Sequence, residues 1–308
     1  MEEDIVLSDL PFIDAHVHLW ELGRLRYPWL TPPFASDGPN GSVEPIAHDY
    51  GLADYRAESA PWNVVGIVHV DAGADPAHAL DETDWLQGIA DAEGMPNAII
   101  AFAALDDPEV ETLLAQHARR RCVRGIRHIV NWHADPRRTY SARDVTGDAA
   151  WARGFAALGR HGLSFDLQAY PGQFPGLARL IARHPETPVI VNHGGMGVDP
   201  GAAGVAEWRD GMAALAALPN VSVKLSGMGF AFHPLDAAAI RDRVLATIDL
   251  FGTDRAMLAG NFPTDRLFGD FDTTLDFLAD AIADFSEDER RALFARNANR
   301  IYRLGLPV

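Results

Sequence analysis

Eight short runs rich in aliphatic and aromatic residues recur along the chain, at residues 12–18, 64–71, 98–105, 123–130, 163–169, 188–193, 221–226 and 256–262. Several are apolar on both faces, as in Val189-Ile190-Val191, which is the pattern of parallel strands buried under helices. Helical patterning fills most of the intervals, at residues 109–121, 149–161, 174–184, 203–218, 235–251, 271–284 and 286–304. Ser286 followed by Glu289 spells a capping box at the start of the last helix. This alternation over 308 residues predicts an α/β fold, a single (β/α)8 TIM-like barrel occupying 1–308 as one domain. A doubly wound open sheet is the alternative, but no glycine-rich phosphate fingerprint follows the first strand.

One long irregular stretch interrupts the rhythm. After the first strand the chain runs through Tyr27-Pro28-Trp29-Leu30 and a Pro- and Gly-rich segment, residues 31–42. It leaves the strand end where barrel active sites are built, and it carries Trp20, Tyr27 and Trp29. A lid or pocket wall is expected there.

Polar residues gather at the C-terminal ends of the strands, which share one face of a barrel. In Phe12-Ile13-Asp14-Ala15-His16-Val17-His18, strand alternation points His16 and His18 the same way and Val17 the other. Two converging imidazoles can hold one divalent cation or polarise one carbonyl oxygen. His193 follows an apolar run and precedes two glycines, which makes it the candidate third nitrogen. The trio His16, His18 and His193 suits either metal-assisted hydrolysis or metal-free oxyanion stabilisation.

Arg127 reads as a clamp for an anionic substrate or as the partner of an internal carboxylate such as Asp166 or Asp71. Lys224 reads as a substrate contact or a buried ion pair. Asp71, His128, Asp166 and Gln168 complete the strand-end candidates, with Asn261 and Asp265 after the last strand. His69 is read as structural. Polar groups in such numbers are costly in a barrel unless satisfied or used.

Composition narrows the partners. The formal net charge of −17 argues against nucleic acid and anionic membranes, which reward Lys and Arg clusters. Cys122 is the one cysteine, so an internal disulfide and a cysteine-rich metal site are both excluded. The opening Met1-Glu2-Glu3-Asp4 lacks signal-peptide character, and no apolar run reaches the ~20 residues of a membrane span. A cytoplasmic protein acting on a small molecule is expected, with homo-oligomerisation through the outer helices open.

The motifs Asp14-Ala15-His16-Val17-His18-Leu19-Trp20, Arg124-Gly125-Ile126-Arg127-His128, Phe165-Asp166-Leu167-Gln168, Asn192-His193-Gly194 and Lys224-Leu225-Ser226-Gly227 follow one another in an order that resembles the amidohydrolase superfamily. The branch they resemble most contains sugar lactonases and the 2-pyrone-4,6-dicarboxylate lactonase. The ending Leu293-Phe294-Ala295-Arg296-Asn297-Ala298-Asn299-Arg300-Ile301-Tyr302 is similar to that group's C-terminal helix. The resemblance implies a TIM-like barrel and hydrolysis of a C–O, C–N or related bond. Decarboxylases and lactone isomerases also occur among such relatives, and their metal use varies.

One position departs from the resembled pattern. An aspartate that binds metal or takes a proton from water normally ends the eighth strand; here the place reads Ala259-Gly260-Asn261-Phe262-Pro263. An amide has no basic site at neutral pH, so Asn261 can orient water but cannot be the general base. Asp265, four residues on, is a candidate substitute, and Asp71, Asp166 and His128 are other candidate bases. The expected function is therefore a hydrolase opening a small lactone derived from a sugar acid or an aromatic catabolite. His16, His18 and His193 would polarise the carbonyl, alone or through one zinc-like cation. Arg127 and Lys224 would neutralise an anionic or polyhydroxylated substrate, and Trp20 would wall the pocket. The alternatives are a metal-dependent decarboxylase or isomerase, and a barrel that binds a ligand without catalysis.

Overall fold

A computed structural model describes residues 7–308, so the acidic residues 1–4 lie outside the described part. Eight parallel strands pair in sequence order: β1 (Phe12–Val17), β2 (Val64–Val70), β3 (Ala98–Phe102), β4 (Val123–Arg127), β5 (Ser164–Leu167), β6 (Val189–Val191), β7 (Val221–Leu225) and β8 (Ala256–Leu258). The chain beyond β8 returns to β1. A parallel bridge joins Val17 to Phe262, and the Asn261 amide donates to the His16 carbonyl at 2.8 Å. The barrel expected from the strand–helix rhythm is the fold observed.

Helices α1 (Leu52–Glu58), α2 (Ala79–Glu93), α3 (Val110–His117), α4 (Ala149–Arg160), α5 (Phe174–Ile181), α6 (Ala202–Ala216), α7 (Ala237–Phe251) and α8 (Phe271–Ala281) alternate with the strands. The last segment runs as α9 (Glu287–Arg291), a π turn (Ala292–Arg296) and α10 (Asn297–Ile301). Its expected capping box is formed, with Ser286 Oγ accepting from the Glu289 amide and the Glu289 carboxylate accepting from Ser286.

Two packed layers explain why the strands are apolar on both faces. Phe165, Val189, Val221 and Leu258 join the large cluster shared with the helices. Ile13, Val68, Ile100, Ile190 and Met257 form a smaller one with Ala295, Ala298 and Tyr302 from the C-terminal segment. The strands end sooner than expected, because the polar residues that closed each predicted run belong to the following loops. Helix α2 lay outside the expected set. Its buried face holds Glu82 and Thr83 among Ala79, Leu86 and Ala90, which breaks the apolar stripe that marks a helix in sequence. No helix among the described residues is long and apolar enough to cross a membrane.

Candidate active site

The three expected imidazoles meet at one end of the barrel. The His16 ring centroid lies 5.0 Å from that of His18 and 4.6 Å from that of His193. His193 and Asn261 both hold left-handed backbone, with φ of 53° and 58°. Such conformations cost energy in non-glycine residues and persist where surrounding contacts impose them, often at functional sites. Gly227, at φ +60°, makes room for one of them: a Cβ there would lie 2.5 Å from His193 Nδ1.

Burial and nearby cations keep these rings neutral. Desolvation is the largest cause in all three, holding each well below the ordinary value of 6.5. Lys224 adds to it most at His16, and Arg127 at His18 and His193. Hydrogen bonds then fix two tautomers. His18 Nδ1 lies 2.7 Å from the Val70 carbonyl, so Nδ1 carries the proton and Nε2 the lone pair. His16 Nε2 faces Arg127 Nη1 at 3.5 Å and accepts, since a guanidinium has no lone pair to offer. His193 places Nδ1 3.1 Å from Ser226 Oγ, leaving Nε2 for the cavity.

Arg127 ends β4 with its fork already engaged on one side. Its Nη2 donates to the Asp71 carbonyl, Nε faces the Asp71 carboxylate at 3.4 Å, and Nη1 donates to Gln168 Oε1 at 3.2 Å. Behind this group Glu82 reaches in from α2. Burial, then the charge of Asp71, pushes its carboxyl up to about 8. Sequence reading missed Glu82 because nothing in the α2 pattern marks it as inward-facing.

Asn261 lies between His18 and Asp265. Its Oδ1 is 3.3 Å from His18 Nε2, and its Nδ2 donates to Asp265 Oδ1 at 2.6 Å. Asp265 is 2% exposed, and burial pushes its carboxyl up to about 8.

A cavity of about 240 Å³ opens over this floor. His18, Arg127, Gln168, His193, Asn261 and Thr264 supply its polar lining, and Trp29, Ile129, Tyr140 and Phe230 its apolar walls. Asn40, in the long loop after β1, lines it too and accepts a hydrogen bond from the Tyr140 hydroxyl.

Other candidates fall elsewhere. Trp20 is fully buried and packs behind Trp29, its indole donating to the His48 carbonyl at 2.7 Å; Trp29 is the wall. Lys224 and Asp166 form a fully buried ion pair at 2.5 Å, joined by the Tyr302 hydroxyl at 3.0 Å and Asn192 at 3.1 Å, and neither lines the cavity. His128 turns to the helix layer, where its Nδ1 accepts from the Leu105 amide and the Trp151 indole. Asp71, His16 and Asp265 sit behind the lining and support it. His69 is structural, its Nε2 facing the Leu19 carbonyl at 3.3 Å.

Comparison with known proteins follows the same lines. The family model described as "Amidohydrolase" matches residues 13–304. The protein y4mH of Sinorhizobium fredii is 40% identical over 303 residues, which are 97% of this chain and all of that protein. An L-fucono-1,5-lactonase of Burkholderia ambifaria is 28% identical over 302 residues, 96% of each chain. The crystal structure of an amidohydrolase from Burkholderia multivorans with bound zinc superposes with a TM-score of 0.79 at 27% identity, over 96% of this chain and 99% of that one.

The zinc of that neighbour raises the question of a metal here. The residues present do not fit one. Among the described residues no group of three or more His, Cys, Asp or Glu side chains is placed to hold an ion. The permanent cation of Arg127 faces His16 Nε2, and a neutral amide stands where a carboxylate would complete the set.

Proposed function

The chain belongs to the amidohydrolase family, and from that premise we propose that it is a lactonase that opens a small lactone by attack of water on the ring carbonyl. One observation carries the reading: Arg127 and the neutral imidazole of His193 face a single cavity whose other polar groups are uncharged amides, a hydroxyl and a second neutral ring. Such a site offers donors to an oxygen that becomes negative, and no carboxylate in its lining opposes it.

In this mechanism the carbonyl oxygen rests against the Arg127 guanidinium, which Asp71 and Gln168 hold in place. Water sits between His193 Nε2 and the Asn261 side chain. As water attacks, the carbon becomes tetrahedral and its oxygen anionic beside Arg127. That new charge offsets the field that depresses His193, so the imidazole gains proton affinity as water loses its proton. The C–O ring bond then breaks, His193 returns the proton to the departing ring oxygen, and a hydroxy acid leaves. The L-fucono-1,5-lactonase of Burkholderia ambifaria supports this reaction class at 28% identity, and its name favours a sugar-acid lactone as the substrate type.

The test is hydrolysis of a panel of aldono-1,4- and aldono-1,5-lactones and of a carboxylated 2-pyrone, followed by acid release. His193→Ala should lower kcat by about 10²–10⁴ while the circular dichroism spectrum is unchanged. Near-normal turnover in that variant would remove His193 from the mechanism.

A further inference from the structure

The catalytic cavity does not end at its walls. Tyr140 and Phe230 line it and also line a second cavity of about 190 Å³. Arg138, Tyr170, Met196 and Val198 line that one and also a third, of about 370 Å³. The three abut through shared side chains. Aromatic rings follow them outward: Phe230 lies 5.2 Å from the His193 ring, Tyr140 6.5 Å from Tyr170, and Tyr170 6.2 Å from His133. Trp132 borders the outer chamber and is 39% exposed, one of two large apolar side chains exposed among the described residues.

The wall of this chamber is held rigid. Gln173, only 8% exposed, donates its amide to the Val130 carbonyl at 2.8 Å and to Asp144 at 2.9 Å, while its oxygen accepts from the Tyr170 and Trp132 backbone amides. Asp144, Asp199 and Glu207 outnumber Arg138 among its charged lining residues, so the chamber is acidic on balance. Gly172 keeps its floor open, since a Cβ there would meet Glu207 Oε1 at 3.2 Å.

We infer that the outer chamber is a saccharide subsite, and that the substrate is a lactone carrying one or more further neutral sugars. This inference rests on the lactonase reading for the reacting ring. A sugar offers an apolar C–H face that stacks on an indole and hydroxyls that donate to carboxylates. Both surfaces are present here, and the chamber volume falls in the range of about 300–1,000 Å³ usual for small-molecule sites. An anionic extension is disfavoured by the three carboxylates and by a net charge of −17. A purely apolar one would desolvate those carboxylates without offering them a donor.

The experiment compares glucono-1,5-lactone with cellobiono-, maltobiono- and lactobiono-1,5-lactones, on the wild type, Trp132→Ala and Glu207→Gln. At least one disaccharide lactone should show kcat/KM about tenfold above the monosaccharide lactone, through KM, which corresponds to about 1.4 kcal/mol of added binding. Trp132→Ala should erase that advantage, Glu207→Gln should reduce it, and neither should alter the monosaccharide rate. Disaccharide lactones with no advantage, or a Trp132→Ala loss shared equally by both classes, overturn the subsite and leave the lactonase reading standing. If no lactone is turned over, the lactonase reading falls instead. The subsite is then judged by titrating the protein with cellobionate, maltobionate and lactobionate. Tryptophan quenching that disappears in Trp132→Ala sustains it, and absence of quenching ends it.

Discussion

The side-chain amide of Asn261 and the carboxyl of Asp265 lie 2.6 Å apart, and His18 Nε2 stands 3.3 Å from the other end of that amide. As placed, the amide donates Nδ2 to Asp265 and turns Oδ1 toward His18 Nε2, which sets acceptor against acceptor while His18 keeps its proton on Nδ1; turned end for end, the same amide presents NH2 to the ring. Its oxygen then faces Asp265, which can answer only as a neutral acid. Burial supplies that condition, since the carboxyl is pushed up to about 8. The protonated carboxyl, the amide and the imidazole thus form one chain in which each proton has a single place.

A pH profile follows from this chain. kcat/KM should fall as pH rises through about 8, because ionised Asp265 pulls the Asn261 NH2 away from His18. Asp265→Asn keeps a donor toward the Asn261 oxygen at every pH, so it should retain activity near neutrality and lose the alkaline limb. Asp265→Ala should be impaired throughout. An unaltered limb in Asp265→Asn would show that another group titrates there.

Metal removal gives the second prediction. With Arg127 against His16 and an amide at Asn261, the proposed mechanism draws its positive charge at the carbonyl from the guanidinium. Treatment with a strong chelator should leave kcat/KM unchanged, and Arg127→Met should abolish most of it. Stoichiometric zinc in the purified protein, with activity lost on its removal, would overturn this account.

How far the sequence revealed this site depends on the kind of feature. His16 and His18 were legible because strand alternation fixes their common direction, and His193 because an apolar strand run leads straight into it. The choice between Arg127 and His128 was not, since adjacent strand residues face opposite ways and sequence alone does not say which way is inward. The contact of Lys224 with Asp166 spans two strands 58 positions apart, so pairing and substrate binding looked alike. Glu82 was invisible for a related reason: a carboxylate on a polar-looking helix reads as solvated until the fold buries it. The Trp20 and Trp29 pair shows the limit for loops, where the wall and its backing exchange places with a small change of path.

The buried pair Lys224–Asp166 yields a stability prediction. Removing one partner leaves a charge in a site with no water to receive it, so Lys224→Met should destabilise by about 3–5 kcal/mol in urea unfolding. The Tyr302 hydroxyl and Asn192 still satisfy part of Asp166, which places the loss toward the lower end. Replacing both, as Lys224→Met with Asp166→Leu, should recover much of the loss. A double variant as unstable as the single one would mean that packing, and not the stranded charge, sets the cost.

Stability should also depend on pH in two opposed ways. The His16, His18 and His193 rings are neutral in the fold but bind protons near 6.5 when unfolded. The unfolded chain therefore holds more protons below that value, and stability rises with pH up to it. Asp265 and Glu82 act in reverse. Each stays protonated in the fold until about 8 but ionises near 4 once unfolded, so stability falls as pH rises toward 8. Above 6.5 the imidazoles no longer contribute and the two carboxyls govern the slope, each by at most about 1.4 kcal/mol per pH unit. Urea unfolding from pH 5 to 9 should give a maximum near 6.5 and a decline beyond it, and Asp265→Asn should remove roughly half of that decline. A wild-type curve that stays flat from 6.5 to 8 would mean that both carboxyls are already ionised in the native protein, and the proton chain from Asp265 to His18 would go with them.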